Sequence, residues 1–319
     1  MRKKVLIFIL VLLVILTACK GGADSKKTQA GGFIGTKEGL VSTMNIDSAS
    51  GGNKVLDAGV ESFRILVNVQ NKGEHSIPEN DVMVTLDGIN LQAFQIKNPT
   101  QRNTIPLSAI RREAGKVTTP AQIPIVYDAN YLSDEDADRT TTIGANVCYK
   151  YETISRIKNL CLRKKITGAV SATACKIDEV KLSESSAAPF QVTTFSERPA
   201  GESKVNVYIE AKNPGKGIMY DKDYLSQGKC VDSDKDRNKV YVKVELTEFK
   251  NSASLVSCSG LRGNEGYVNV IQNSMQLSCT IDTSSLQESS FETPLRVSFQ
   301  YVYKDSVSTT VTIKNSNPV

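Results

Sequence analysis

Apolar and polar residues alternate with a period of two through most of this chain, and no stretch carries the 3.6-residue period of a long helix. The clearest run is Phe63 to Gln70, where Ile65, Val67 and Val69 share a face before the turn Asn71-Lys72-Gly73-Glu74. Val82 to Leu86 predicts a second strand, closed by Asp87-Gly88, a pair suited to a tight turn. Leu91 to Ile96 is expected to continue this meander. Gln122 to Tyr127 reads as a strand in which Pro124 argues for an edge, because proline cannot donate to a ladder. Thr142 to Thr153 predicts a long strand with Ile143, Ala145, Val147 and Tyr149 on one face and Cys148 on the other. Ile154 to Asn159 is expected to turn the chain, and Leu160 to Lys165 to return.

The second half repeats this outline. Val205 to Ala211 meets Asn213-Pro214-Gly215-Lys216-Gly217, as Ile65 to Gln70 meets Asn71-Lys72-Gly73. Val240 to Phe249 echoes Val82 to Phe94. Leu295 to Lys304 and Ser306 to Ile313 flank Asp305 and predict a hairpin that echoes Val147 to Leu162. Two copies of one β-sandwich module follow from the repeat, over residues 35–188 and 189–319, with the boundary in the Ser- and Ala-rich stretch 180–189. The class is all-β. The βαβ alternation of doubly wound enzymes is missing from the sequence.

The first residues follow another pattern. Arg2, Lys3 and Lys4 precede an unbroken apolar run from Val5 to Leu16, then Thr17, Ala18 and Cys19. The apolar stretch is shorter than the roughly 20 residues that span a bilayer as a helix. Leu16-Thr17-Ala18-Cys19 resembles the lipoprotein signal of prokaryotes. That resemblance implies a signal peptide over residues 1–18, cleavage between Ala18 and Cys19, and acyl lipid on the Cys19 thiol. Membrane lipid is then one partner, and the protein works outside the cytoplasm. Residues 19–34 are polar and Gly-rich, which suits a flexible tether.

Charge and cysteine content narrow the picture further. The formal net charge is +5, and removing Arg2, Lys3 and Lys4 leaves +2, too little for a nucleic-acid partner. Apart from Cys19 there are six cysteines, Cys148, Cys161, Cys175, Cys230, Cys258 and Cys279, an even number that suits disulfides in an oxidising compartment. Cys258 with Cys279 is the first choice and Cys161 with Cys175 the next. A Cys148–Cys161 pair competes with the latter; otherwise Cys148 is left for Cys230 and staples the two halves. A Cys-x-x-Cys pair is missing and His75 is the sole histidine, which argues against zinc.

The Asn-Lys-Gly turn at 71–73, the Asn-x-Gly-x-Gly turn at 213–217 and the strands after them resemble the CARDB-like, immunoglobulin-like modules of prokaryotic surface proteins, especially archaeal ones. The segment Cys148 to Thr153 also looks like a recurrent feature of archaeal membrane-associated proteins. The resemblance implies two tandem immunoglobulin-like β-sandwich domains with adhesion, scaffolding or ligand presentation as the role, and no shared catalytic set.

Candidate chemistry is sparse. Asp232-x-Asp234-x-Asp236 opens like a calcium loop, but Arg237 and Lys243 stand where glycine and glutamate belong. With Asp221 and Asp223 these residues are either a solvated acidic loop or, less favoured, a calcium site; Asp134, Glu135, Asp136 and Asp138 have the same two readings. No other cofactor is expected. Tyr149, Tyr151, Tyr301 and Tyr303 pair on matching strands, as core or as an aromatic surface for a protein or glycan partner; core is preferred. His75 reads as an exposed loop residue. The function that fits is a membrane-anchored, non-enzymatic binding, adhesion or scaffold lipoprotein. The alternatives are a subunit of an envelope assembly that offers an edge strand and, more distantly, a secreted hydrolase using two carboxylates.

Overall fold

A computed structural model describes residues 32–166, 175–228, 230, 235–286 and 290–317. The first half supplies β1 (Leu40–Asp47), β2 (Lys54–Leu56), β3 (Ser62–Asn71), β4 (Val82–Asp87), β5 (Thr100–Arg102), the short pair β6 (Arg112–Glu113) and β7 (Lys116–Val117), β8 (Ala121–Asn130) and the 25-residue β9 (Arg139–Arg163). The second half supplies β10 (Glu179–Val180), β11 (Ser183–Ser185), β12 (Gln191–Pro199), β13 (Lys204–Lys212), β14 (Ile218–Tyr220), β15 (Lys239–Leu246), β16 (Val256–Cys258), β17 (Glu265–Asn269), β18 (Ser274–Asp282) and the 25-residue β19 (Ser290–Lys314). The fold is all-β. Among the described residues no helix is long and apolar enough to cross a membrane.

The strands lie in three main sheets. A long sheet runs β17-β15-β19-β9-β4-β5, with β2, β11 and β14 added along β19 and β9. Two smaller sheets run β1-β3-β8 and β10-β12-β13-β18-β16. The order is palindromic. β5, β4 and β9 mirror β17, β15 and β19, and β1-β3-β8 mirrors β12-β13-β18. The internal repeat read from the Asn-Gly turns is therefore visible in the topology. β8 is an edge strand, the one place where Pro124 leaves no ladder bond unmade.

The connectivity between the halves differs from two modules strung in tandem. β9 does not turn at 154–159, and β19 does not turn at Asp305. Each is one strand, and the two pair antiparallel from Arg139↔Ile313 to Arg163↔Ser290, with a single shift between Thr293 and Leu295. The physical reason is twofold. Neither stretch holds a glycine for a two-residue hairpin, and none of their residues takes a positive φ. The alternation of buried positions also carries straight through, by way of Tyr149, Tyr151, Thr153, Ser155 and Ile157 on β9. β9 thus pairs with β4 through residues 144–149 and then leaves its own half, meeting β11 at 155–157. β19 pairs with β15 through residues 295–300 and ends beside β2 at 312–314. Each half is completed by the end of the other's last strand.

The inward residues of both long strands belong to one contiguous core, with β1 packed on β19 and β12 on β9. Both smaller sheets therefore cover the same face of the long sheet. Residues 33–319 form one compact unit. The Ser- and Ala-rich stretch 180–189, expected to hold the domain boundary, ends in the interior: Ala187 and Ala188 are buried, as is Phe190 after them. Leu91 to Ile96 is a turn that buries Phe94 and Ile96, not a strand.

Three disulfides join the six cysteines: Cys148–Cys230, Cys161–Cys175 and Cys258–Cys279. Cys258 and Cys279 are cross-strand partners in β16 and β18. Cys148 and Cys161 are not opposed across a hairpin, because both lie on β9. Cys148 faces outward with Met83, Tyr220, Tyr224, Leu225 and Val302 in a second, small core, to which Cys230 is bonded. That bond ties an excursion of the second half onto the first. It closes a loop of sequence separation 82, and constraint of the unfolded chain on that scale stabilises by about 4–5 kcal/mol.

Candidate functional site

The two halves meet around the pair Lys150↔Val302. Near it, adding 152 to a residue of β9 gives its equivalent in β19: Tyr149 to Tyr301 and Tyr151 to Tyr303. On the inner face these four tyrosines form a cluster, with Tyr149 opposite Tyr303 and Tyr151 opposite Tyr301. Ring centroids lie 5.6 Å apart for Tyr149–Tyr303 and 6.4 Å for Tyr151–Tyr301. All four are buried, at 1%, 2%, 1% and 4% exposure for Tyr149, Tyr151, Tyr301 and Tyr303. They are core, and the reading of them as an aromatic contact surface is corrected: the smaller sheets cover the face they occupy.

Their hydroxyls explain the repeated turns. Gly217 N donates to Tyr303 Oη at 3.0 Å, and Tyr303 Oη donates to Asn213 Oδ1 at 3.1 Å. Asn213 also closes its own turn, accepting from Gly215 N at 3.1 Å and donating to Gly217 O at 2.8 Å. In the first half Asn71 accepts from Gly73 N at 3.2 Å and donates to His75 O at 2.7 Å, while Tyr151 Oη donates to Ala187 O at 3.3 Å. The glycines are required by space. A Cβ on Gly73 would lie 1.7 Å from Tyr151 Oη, and one on Gly217 2.2 Å from the Tyr303 ring. Burial raises the pKa of all four tyrosines, so they stay neutral donors.

On the outer face, beside the same centre, lies a cleft of about 340 Å³ lined by His75, Asp81, Lys150, Glu152, Lys222 and Asp223, among others. It is where the sole histidine and one of the singled-out aspartates come together. Lys150 Nζ is 2.9 Å from Asp81 Oδ1, and Lys222 Nζ is 2.8 Å from Asp223 Oδ2. Glu152 lies 4.0 Å from His75 Nδ1 and 3.9 Å from Arg296 Nη2. His75 is not the free loop residue expected. Its ring packs edge-on against Tyr151 at 5.1 Å, and burial lowers its pKa against the opposing pull of Glu152 and Asp81. It is neutral at pH 7. Among the described residues no hydroxyl or thiol hydrogen-bonds its ring. The cleft offers paired charges of both signs, and no serine, threonine or cysteine is among its described lining residues.

The aspartates are spent on local structure. Asp221 accepts from Tyr267 Oη and from Asp223 N, both at 2.9 Å, and its own N–H donates to Asp236 O at 2.9 Å. Asp232 and Asp234 lie outside the described residues. Asp138 pairs with Lys314, and Glu135 with Arg139 and Tyr131. Among the described residues no group of three or more His, Cys, Asp or Glu side chains is placed to hold a metal ion.

One charged residue escaped the sequence reading. Glu197 lies in β12 with no exposed surface. It accepts from Cys161 N at 3.0 Å and pairs with Lys181 Nζ at 3.1 Å. Burial pushes its pKa up to about 7, against the opposing hydrogen bonds from Lys181 and Cys161. The sequence carries no signal for this, since a charged residue in an alternating strand is expected to face water.

No protein-family model matches the chain, and no curated protein matches it. Among solved structures, the secreted serine protease VesC from Vibrio cholerae is similar at 12% identity and a TM-score of 0.21, over 82% of this chain and 50% of that one. This chain thus spans about half the length of that protease. The yeast delta-COP-I mu-homology domain complexed with a Dsl1 peptide is similar at 10% identity and a TM-score of 0.20, over 87% and 97%. TM-scores this low establish neither a shared fold nor a shared activity.

Proposed function

We propose that this protein is a lipid-anchored, extracytoplasmic binding or scaffold module with no catalytic role. The observation that carries the reading is the set of three disulfides, one of them joining residues 82 apart in sequence, a set that belongs in an oxidising compartment. The signal-like start, with Cys19 after Thr17-Ala18, supplies the anchor, and residues 20–32 supply the tether. Two sandwiches locked by exchanged strands make a stiff body, as a scaffold requires. The paired charges of the central cleft suit recognition of a polar protein or glycan surface more than acid–base chemistry. The test is Cys19→Ser. It is expected to release the protein from the membrane fraction and to leave the precursor uncleaved. Unchanged retention and processing contradict the reading.

A further inference from the structure

The segment Glu179-Val180-Lys181-Leu182 is inside out. Lys181 is buried at 9% exposure, while its aliphatic neighbours Val180 and Leu182 stand 73% and 93% exposed. The inversion is held in place from within. Lys181 Nζ reaches Glu197, Glu179 and the carbonyl of Lys176 (3.1 Å), and Lys181 N donates to Phe195 O at 2.9 Å. A slip of one residue against β12 would turn Val180 and Leu182 inward and Lys181 outward. Two large aliphatic side chains therefore stay in water because a buried ion pair fixes the register. The two exposed aliphatic groups together form a small apolar patch beside the ion pair.

We infer that Val180 and Leu182 form a membrane-facing contact that seats the folded body on an anionic bilayer. Two observations choose the lipid surface. The first is where the chain enters the fold. Leu182 directly precedes β11, which pairs with residues 155–157 of β9, and the Phe33 ring lies 4.8 Å from the Arg156 guanidinium there. Residues 20–32 can span at most about 50 Å. With an acyl group on Cys19, the point where the chain enters the fold is therefore held within that distance of the lipid. The second is charge. Segments 156–165, 175–185 and 196–198 together carry eight basic and four acidic side chains. Basic groups around an apolar contact favour anionic headgroups. The inference rests on the proposed anchor at Cys19.

The chain contains no tryptophan, so a single one reports its own surroundings. Leu182→Trp and, as a control, Ile271→Trp at a 71% exposed turn are compared in the full acylated protein, reconstituted in vesicles of phosphatidylcholine and phosphatidylglycerol. Leu182→Trp is expected to shift its emission to the blue and to lose intensity when the acyl chains are brominated, whereas Ile271→Trp does neither. Water-like emission from both, in protein whose intact mass shows the lipid, overturns the contact and leaves the anchor standing. An intact mass without lipid overturns both.

Discussion

Tyr151 of β9 and Tyr301 of β19 are cross-strand partners, drawn from opposite halves of the chain. Their pairing joins the two halves into one body: neither long strand ends inside its own half, and the inward faces of both share one core. The tandem arrangement suggested by the repeat is replaced by an exchange of strand ends.

The exchange makes a prediction about truncation. Residues 305–317 come from the second half but pair with β9 residues 139–147 of the first. Their removal strips the covering from that edge and exposes the core around Val311 and Ile313. Amide exchange at Ile143, Ala145 and Val147 is expected to speed up more than exchange in β13 and β18. Faster exchange confined to the second sandwich would contradict the pairing.

The tyrosine-capped turns predict a cost for small changes. Tyr303→Phe leaves Gly217 N and Asn213 without their partner and is expected to lower stability by about 1–3 kcal/mol. Gly73→Ala places a methyl group against Tyr151 Oη and the Ala187 carbonyl, an overpacking of about 1–3 kcal/mol. Urea unfolding of both variants checks these values.

Opening the Cys148–Cys230 bond tests the outer core. Replacing both cysteines by serine is expected to lower stability by about 4–5 kcal/mol, as removal of a loop constraint on this scale implies. Limited proteolysis is expected to cut the excursion around Tyr224 and Leu225, now unpinned from β9, ahead of the rest of the fold.

Glu197 sets a pH dependence. Its pKa rises from 4.5 in the unfolded chain to about 7 in the fold, so the folded state holds the proton more tightly. Its contribution to stability is therefore greatest below pH 4.5 and is lost as pH rises through about 7. Lys181 and Glu179, the charged side chains around it, do not reverse this sign, since burial is the larger effect. Glu197→Gln is expected to flatten the stability profile between pH 4.5 and 7, read by thermal unfolding at a series of pH values.

Much of the fold is legible before any coordinates. Alternation places Ile65, Val67 and Val69 on one face, the missing donor of Pro124 points to an edge, and the excursion between Cys258 and Cys279 makes them the first choice of pair. The paired Asn-Gly turns reveal the repeat. What alternation cannot say is whether a strand turns or continues, because Ile154 to Asn159 and Asp305 keep the same period either way. Only the opposite half, which supplies a pairing partner for the extra length, decides it. The tyrosines show the same limit: period two puts Tyr149 with Tyr151, but the covering sheets decide that this face is interior. Lys181 and Glu197 violate the pattern outright, each charged and each buried, and only their proximity across two strands makes that tolerable.

The proposed function requires that this chain mature outside the cytoplasm, acylated at Cys19 and locked by three disulfides. Intact-mass measurement of the protein extracted from membranes, with and without reduction, tests it most directly. The account predicts a chain that begins at Cys19, carries acyl lipid and takes up thiol label at six cysteines only after reduction. A full-length, unacylated chain with those six thiols already free would contradict it.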